Sequence, residues 1–356
     1  MGADEQRSGK LETIESDLKR PASEIFASYI CKPGERMLRK ADPEHWKKRL
    51  LQMKVNGKAA FLWSKLARPN IRLMPSAAME TDTTPPRTSK FGGLPDLPKG
   101  AMWPTWTYIK SPPPMRAPSV GFIGKLLGRK PGPPPPPPRP SEPQIRPLSF
   151  LAQINLADVA KFGLDVPLPE AGLLLFFYDM EMLDCGLTDA ETTGARVIFV
   201  PDGTETERLA SSPIALLKTR SFAFEPGEVL PHLEYVAECI PAYSQGDFED
   251  ALEVVDETVF AGGHVFGGWP NPIQTMMELE CELYANGLDA SPQGYKDAEE
   301  RGLNKKAPNW RYLLRLESNG IPEWDWGDWA EICFFCRKED IAAQRFDRCC
   351  VIEQMS

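Results

Sequence analysis

Long apolar runs are missing from this 356-residue chain. The longest, Ala171 to Tyr178, falls far short of the roughly 20 residues that cross a bilayer as a helix. No membrane span is expected. The opening residues Met1 to Gln6 are polar and hold no signal-peptide core, and Gln6 stands where N-myristoylation requires Ser or Thr. A cytoplasmic location is the expectation. Histidine is scarce, with His45, His232 and His264 the only three. No His-Glu-x-x-His pair, Walker loop, nucleophile elbow or paired Cys/His signature occurs. These absences set aside the familiar zinc-peptidase, P-loop and serine- or cysteine-hydrolase classes. They favour a non-enzymatic protein with no cofactor.

Acidic residues are few in the first part of the chain. Residues 1–149 hold 26 Lys and Arg against 13 Asp and Glu. Of the whole-chain 41 and 50, that leaves 15 against 37 for residues 150–356, a split of +13 and −22. An acidic surface repels phosphate backbones, so DNA is not an expected partner. The basic segment can balance its own acidic domain, or the acidic surface can steer a basic protein partner.

Eight cysteines, at 31, 185, 239, 281, 333, 336, 349 and 350, follow no small-scaffold spacing, and reduced thiols are expected. Cys333-x-x-Cys336 lies in an apolar run that reads as a strand. There, residues three apart face opposite sides, which disfavours a zinc knuckle.

Proline is abundant, at 36 residues, and concentrated. Residues 111–147 include Pro112–Pro114 and six consecutive prolines from Pro133 to Pro138. Such a run prefers extended polyproline II and reads as a surface insertion, either a basic spacer or a ligand for an SH3-like partner. Before it, residues 1–69 read as a basic helical extension. One helix is expected around Ile25–Ile30. A second is expected from Pro43, with Trp46, Leu50, Met53 and Phe61 facing inward.

From residue 70 onward one pattern occurs twice. Phe91-Gly92-Gly93-Leu94-Pro95 precedes Phe150–Ile154 and Gly172–Phe177. Phe266-Gly267-Gly268-Trp269-Pro270 precedes Tyr312–Leu316 and Ile332–Cys336. The expected fold class is therefore α+β, with a β-rich core built from two internally duplicated, mainly antiparallel strand units and with N-terminal helices. Further strands are expected at Arg196–Val200 and Cys349–Ile352, and short helices at Leu156–Phe162 and Glu339–Phe346. Asp247 is expected to cap an amphipathic helix, and Asn271-Pro272 to open another that runs to Gly287. Residues 287–309 read as loop.

Candidate ligand-binding residues follow from polar groups in unusual places. Trp324-Asp325-Trp326-Gly327-Asp328-Trp329 offers indole faces for stacking and two carboxylates as acceptors, suited to a small molecule that is sugar-like or cationic. The same segment can instead be a tight turn whose tryptophans plug the core. His264 and Gln274 flank the second Gly-Gly turn. Gln153 and Asn155 share one face of an apolar strand, and Arg315 holds the place of Gln153 in the second copy.

Ser89–Pro98 with Trp103-Pro104, then Phe150–Asn155, resemble the YwqG-like bacterial domain of unknown function. Gly263-His264, Gly267–Pro270, Gln274, Trp326–Asp328 and Phe334-Phe335 continue its pattern in order, so the resemblance covers about residues 70–356. It implies an α+β fold, a cytoplasmic bacterial protein and no established activity, with some relatives suspected of toxin–immunity roles. The chain departs from the pattern by Arg315 where Gln is usual, by the proline-rich insertion and by its basic N-terminus.

Overall fold

The computed structural model describes residues 41–55, 57–76, 84–109, 142–183, 185–188, 191, 193–209, 212–233, 235–236, 262–318, 324, 326 and 330–355. The expected helices near residue 25 and after Asp247 lie outside these residues. So do Asp325, Gly327, Asp328 and Trp329, and most of the proline-rich segment.

Helices α1 (Pro43–Gln52) and α2 (Gly57–Ser64) come first. Strands β1 (Arg68–Pro75), β2 (Lys90–Phe91), β3 (Leu97–Pro98), β4 (Thr105–Tyr108), β5 (Gln144–Pro147) and β6 (Ser149–Asn155) follow. After α3 (Leu156–Val159) come β7 (Leu173–Tyr178), β8 (Gly186–Leu187), β9 (Ala195–Val200), β10 (Thr206–Glu207), β11 (Phe222–Val229) and β12 (Val265–Phe266). Helices α4 (Met277–Ala285) and α5 (Pro292–Glu300) lead to β13 (Trp310–Glu317), β14 (Glu331–Arg337), α6 (Lys338–Ala342) and β15 (Cys350–Gln354). The fold is α+β with a β-rich core.

Two antiparallel sheets carry it. One has seven strands in the order β11-β1-β12-β13-β14-β15-β8, and the other four, β2-β6-β7-β9. They pack face to face, with Phe176 of β7 and Phe334 of β14 in edge contact at 5.1 Å. Each sheet is covered on its other face as well. Leu174, Phe176 and Tyr178 point into the inter-sheet core, whereas Leu173, Leu175 and Phe177 pack under Trp103, Trp106 and Leu148. In β14, Ile332, Phe334 and Cys336 face inward, while Cys333 and Phe335 meet Met277 and Cys281 of α4. Double coverage explains why these strands read as continuous apolar runs rather than alternating ones. It also places Cys333 and Cys336 on opposite faces.

The sheets share a local design. Phe91 pairs with Ala152 and Phe266 with Leu314. A bulge interrupts β6–β7 between Phe150 and Ala152, and another interrupts β13–β14 between Tyr312 and Leu314. Each bulge turns two consecutive residues, Leu151-Ala152 or Leu313-Leu314, into the same core. The bulged carbonyls accept the first amide of the Gly-Gly turns: Gly92 N donates to Leu151 O at 2.9 Å and Gly267 N to Leu313 O at 3.0 Å.

Four expectations are corrected. Phe61 is 42% exposed rather than inward-facing, with the Lys65 ammonium 3.9 Å from its ring centroid. The stem of a long basic side chain can shield an aromatic face. Helix α4 begins at Met277, not at Pro272, because the Gln354 side chain holds the Ile273 and Gln274 amides at 2.7 and 3.1 Å. Residues 287–309 are not all loop: Ser291 caps α5 through Gly294 N, and Pro292 takes its first position. Finally, the last four residues of the proline-rich segment form β5, in register with β4 from Thr105↔Pro147 to Tyr108↔Gln144.

Candidate functional site

The polar candidates of the first unit serve the turn that precedes them. Gln153 is fully buried. Its Oε1 accepts from Asp96 N at 3.0 Å, and its Nε2 donates to Thr88 O and to Asp96 Oδ2. Asp96 also accepts from Arg208 Nε at 2.7 Å and from the Arg87 amide. Burial alone would raise the Asp96 carboxyl, but these donors outweigh it and hold the group below the ordinary Asp value. Asn155 caps α3 through Ala157 N and donates to Arg87 O at 3.0 Å. Lys90, also fully buried, donates to Leu94 O at 2.7 Å.

His264 and the tryptophan loop meet the first unit. The His264 ring lies 5.0 Å from Phe91 and 5.6 Å from Trp324, and Phe91 lies 5.3 Å from Trp324. Trp326 stacks 5.2 Å from Trp324. All four side chains are buried. His264 Nδ1 accepts from Glu317 N at 3.2 Å, which assigns the ring proton to Nε2 when the imidazole is neutral. Seven of the eight described tryptophans donate their indole N–H to an acceptor, among them Trp326 to Ala330 O. Trp324 Nε1 is buried and has none among the described residues.

Glu317 links this aromatic group to a buried charge cluster. Arg315 Nε approaches Glu331 Oε2 to 2.6 Å, and Arg315 Nη2 lies 3.2 Å from Glu317 Oε1. The Arg315–Glu331 contact is a charge pairing rather than an aligned hydrogen bond, since both atoms lack hydrogen-bond geometry. Glu331 is fully buried. Burial pushes its carboxyl up to about 7; Arg315 opposes the rise and Glu317 adds to it. Such a group can exchange a proton near neutrality.

The structure thus gathers His264, Trp326 and, through Glu317, Arg315. Gln153 and Asn155 belong to the network of residues 87–96, and exposed Gln274 is held by its backbone at Gln354. Glu331, Glu317 and Asp96 were missed by sequence reasoning. The available signals were the carboxylate opening the apolar run Glu331–Cys336 and the acid inside Leu94-Pro95-Asp96-Leu97-Pro98.

Residues 89–354, about three quarters of the chain, match the family described as "Domain of unknown function (DUF1963)". The chain belongs to that family. The DUF1963 match takes in both Gly-Gly turns, the aromatic group and the charge cluster. It ends at Gln354, whose side chain holds the approach to α4. It leaves out β1, although β1 pairs with both β11 and β12 inside the seven-stranded sheet. No curated protein matches the chain. Among the described residues no helix is long and apolar enough to cross a membrane.

Proposed function

We propose that this protein is a non-enzymatic binding protein whose acidic domain, residues 70–356, engages a basic protein partner in the cytoplasm. The observation that carries the reading is burial of the candidate chemistry. Glu331, His264, Trp324 and Trp326 are at most 6% exposed, whereas a catalytic group must reach its substrate. Residues 150–356 hold 15 Lys and Arg against 37 Asp and Glu, a net excess of acid, and charge complementarity steers association. The basic residues 1–69 act as an extension of this domain, and residues 111–147 as an insertion within it. The matching bulges and turns support an origin by internal duplication, and the motif order supports the YwqG-like naming. An immunity-like role against a basic toxin fits the same charge pattern.

The test is affinity capture at stepped ionic strength. The expected partner is a basic protein that elutes as salt shortens the Debye length from about 8 Å at physiological strength toward 3 Å at 1 M. A partner that is neutral or acidic, or one that persists at high salt, would overturn the reading.

A second reading is a small molecule held by the tryptophan loop. It is favoured by Trp324 Nε1, a buried donor beside His264 that has no acceptor among the described residues. An Asp325→Asn, Asp328→Asn double variant that folds normally and keeps its protein partner but loses a small ligand would select it.

A further inference from the structure

Beyond the partner reading, we propose that Cys336 and Cys349 form a dithiol site that exchanges with low-molecular-weight disulfides and closes into a reversible bridge between β14 and β15.

Strand pairing brings the two residues together. The β14–β15 ladder runs from Glu331↔Gln354 to Phe335↔Cys350, so the next position sets Cys336 opposite Cys349. Cys336 lies within β14, and Cys349 keeps an extended backbone, with φ −64° and ψ 163°. The Cys349 carbonyl accepts from Thr188 N at 2.8 Å, beside β8. That carbonyl points away from β14, which makes Cys336 and Cys349 a non-hydrogen-bonded pair. In such pairs the Cα atoms lie about 4.5 Å apart and the side chains approach most closely. A disulfide spans roughly 4.4–6.8 Å between Cα atoms.

Both side chains face the same way, fully buried in the inter-sheet core. Burial first, and the Cys336 thiol within hydrogen-bonding reach second, push the Cys349 thiol well above the ordinary cysteine value. The six described cysteines are free thiols. Neighbouring thiols are set apart by the pleat. Cys350 points to the opposite face of the sheet, toward α4 and Cys281, and Cys333 shares that face opposite Ile352.

The cover over the pair is thin. Residues 338–348 connect the two strands, and only Ile341 and Phe346 among them are buried. Residues 342–345 are exposed, and the Cys336 Sγ lies 3.9 Å from Arg345 O in this connection. Gln344 holds a left-handed φ of +58°, a conformation that costs a residue with a side chain. Local opening of this connection uncovers the thiols while the ladder from Glu331 to Phe335 stays paired.

One protein thiolate attacks a sulfur of the small disulfide, forming a mixed disulfide and releasing one small thiol. The second protein thiolate then displaces the other half. The protein gives up two electrons and two thiol protons, and the small disulfide takes them up as two thiols.

The full chain would be incubated with glutathione disulfide in native buffer, blocked with N-ethylmaleimide, digested with trypsin and mapped by mass spectrometry. Arg337, Lys338, Arg345 and Arg348 lie between the two cysteines, so they fall in different peptides. A link between the peptide ending at Arg337 and the peptide beginning at Cys349 is expected. Dithiothreitol should reverse it, and the oxidised protein should melt roughly 3 °C or more above the reduced one. Cys333→Ser and Cys350→Ser should cross-link as wild type. Cys336→Ala and, independently, Cys349→Ser should abolish the link. No link in wild type, or one that forms only once the protein is unfolded by urea, would overturn the site. So would a link to the Cys281 peptide instead, or one that persists in Cys336→Ala. Failure here leaves the protein-partner reading untouched, because that interaction is measured by capture under reducing conditions.

Discussion

The carboxylates divide by environment. Asp96 is held below its ordinary range by aligned donors, whereas burial raises Glu278, Glu280 and Glu331, each to about 7. Glu280 is the clearest of these. Burial is the main cause of its shift, partly opposed by the Tyr295 hydroxyl, which donates to it at 3.0 Å. A raised folded-state value means that the native protein holds more protons than the unfolded chain between about 4.5 and about 7. Its contribution to stability is complete below that window and is lost as pH rises through it. Glu280→Gln keeps an acceptor for Tyr295 and Thr275 but removes the titration. The variant should be more stable than wild type at pH 8 by about 1–3 kcal/mol and should show little advantage at pH 4.5. Urea denaturation at the two pH values checks this. An equal pH slope in both proteins would place the proton elsewhere. Glu280 illustrates what the sequence hides. It follows Met276 and Met277 in a run that reads as an acidic helix surface, and only tertiary packing buries it.

At the scale of elements, the Gly-Gly turns set how closely loop and strand approach. Gly92 has φ +58°, and a Cβ there would fall 2.4 Å from Lys218 O and 2.9 Å from Leu217 O. Both are backbone atoms, so no rotamer change relieves the clash. Gly92→Ala should cost about 2–4 kcal/mol. Gly100→Ala, at φ +78° but in open space, should cost only about 1 kcal/mol. Chemical denaturation of the two variants separates crowding from backbone strain. The turns and the doubly covered strands were legible because glycine pairs and unbroken apolar runs are local signals. Strands β1 and β11 were not. They pair along eight residues, Arg68↔Val229 to Pro75↔Phe222, yet they contain Pro69, Pro75, Pro226 and Gly227, which argue against a strand interior. The conflict resolves because β12 pairs only with Ile71 and Arg72. The prolines of β1 therefore lie beyond its reach, where no second neighbour asks for their missing donors. Helix α5 was passed over for a similar reason. Its start signal, Ser291-Pro292, was present, but only Gly294 and Ala298 are buried in it, too few for an apolar stripe. His264 and Arg315 were legible as polar exceptions in apolar surroundings. Their partners Glu317 and Glu331 become visible only when β13 pairs with β14, which sets Glu317 opposite Glu331.

For the whole molecule, the proline-rich segment leaves at one end of the β4–β5 ribbon and returns beside it, since Tyr108 pairs with Gln144. Replacing residues 110–142 by Asn-Gly should therefore preserve the fold, because that dipeptide favours tight turns between paired strands. Thermal melting should show a single transition within a few degrees of wild type, and a broad or strongly lowered transition would make the segment part of the core.

The seven-stranded sheet has a consequence for synthesis. Its second strand, β1, ends at Pro75, but its eight-residue partner β11 begins only at Phe222. At about 5–20 residues per second, roughly 7–30 seconds separate the emergence of the two. Throughout that interval the nascent strand presents amides and apolar side chains with no mate, the circumstance in which chains pair with one another instead. Pro69 and Pro75, which disguise β1 as something other than a strand, then act as gatekeepers near its two ends, blocking intermolecular ladders until the native neighbours arrive.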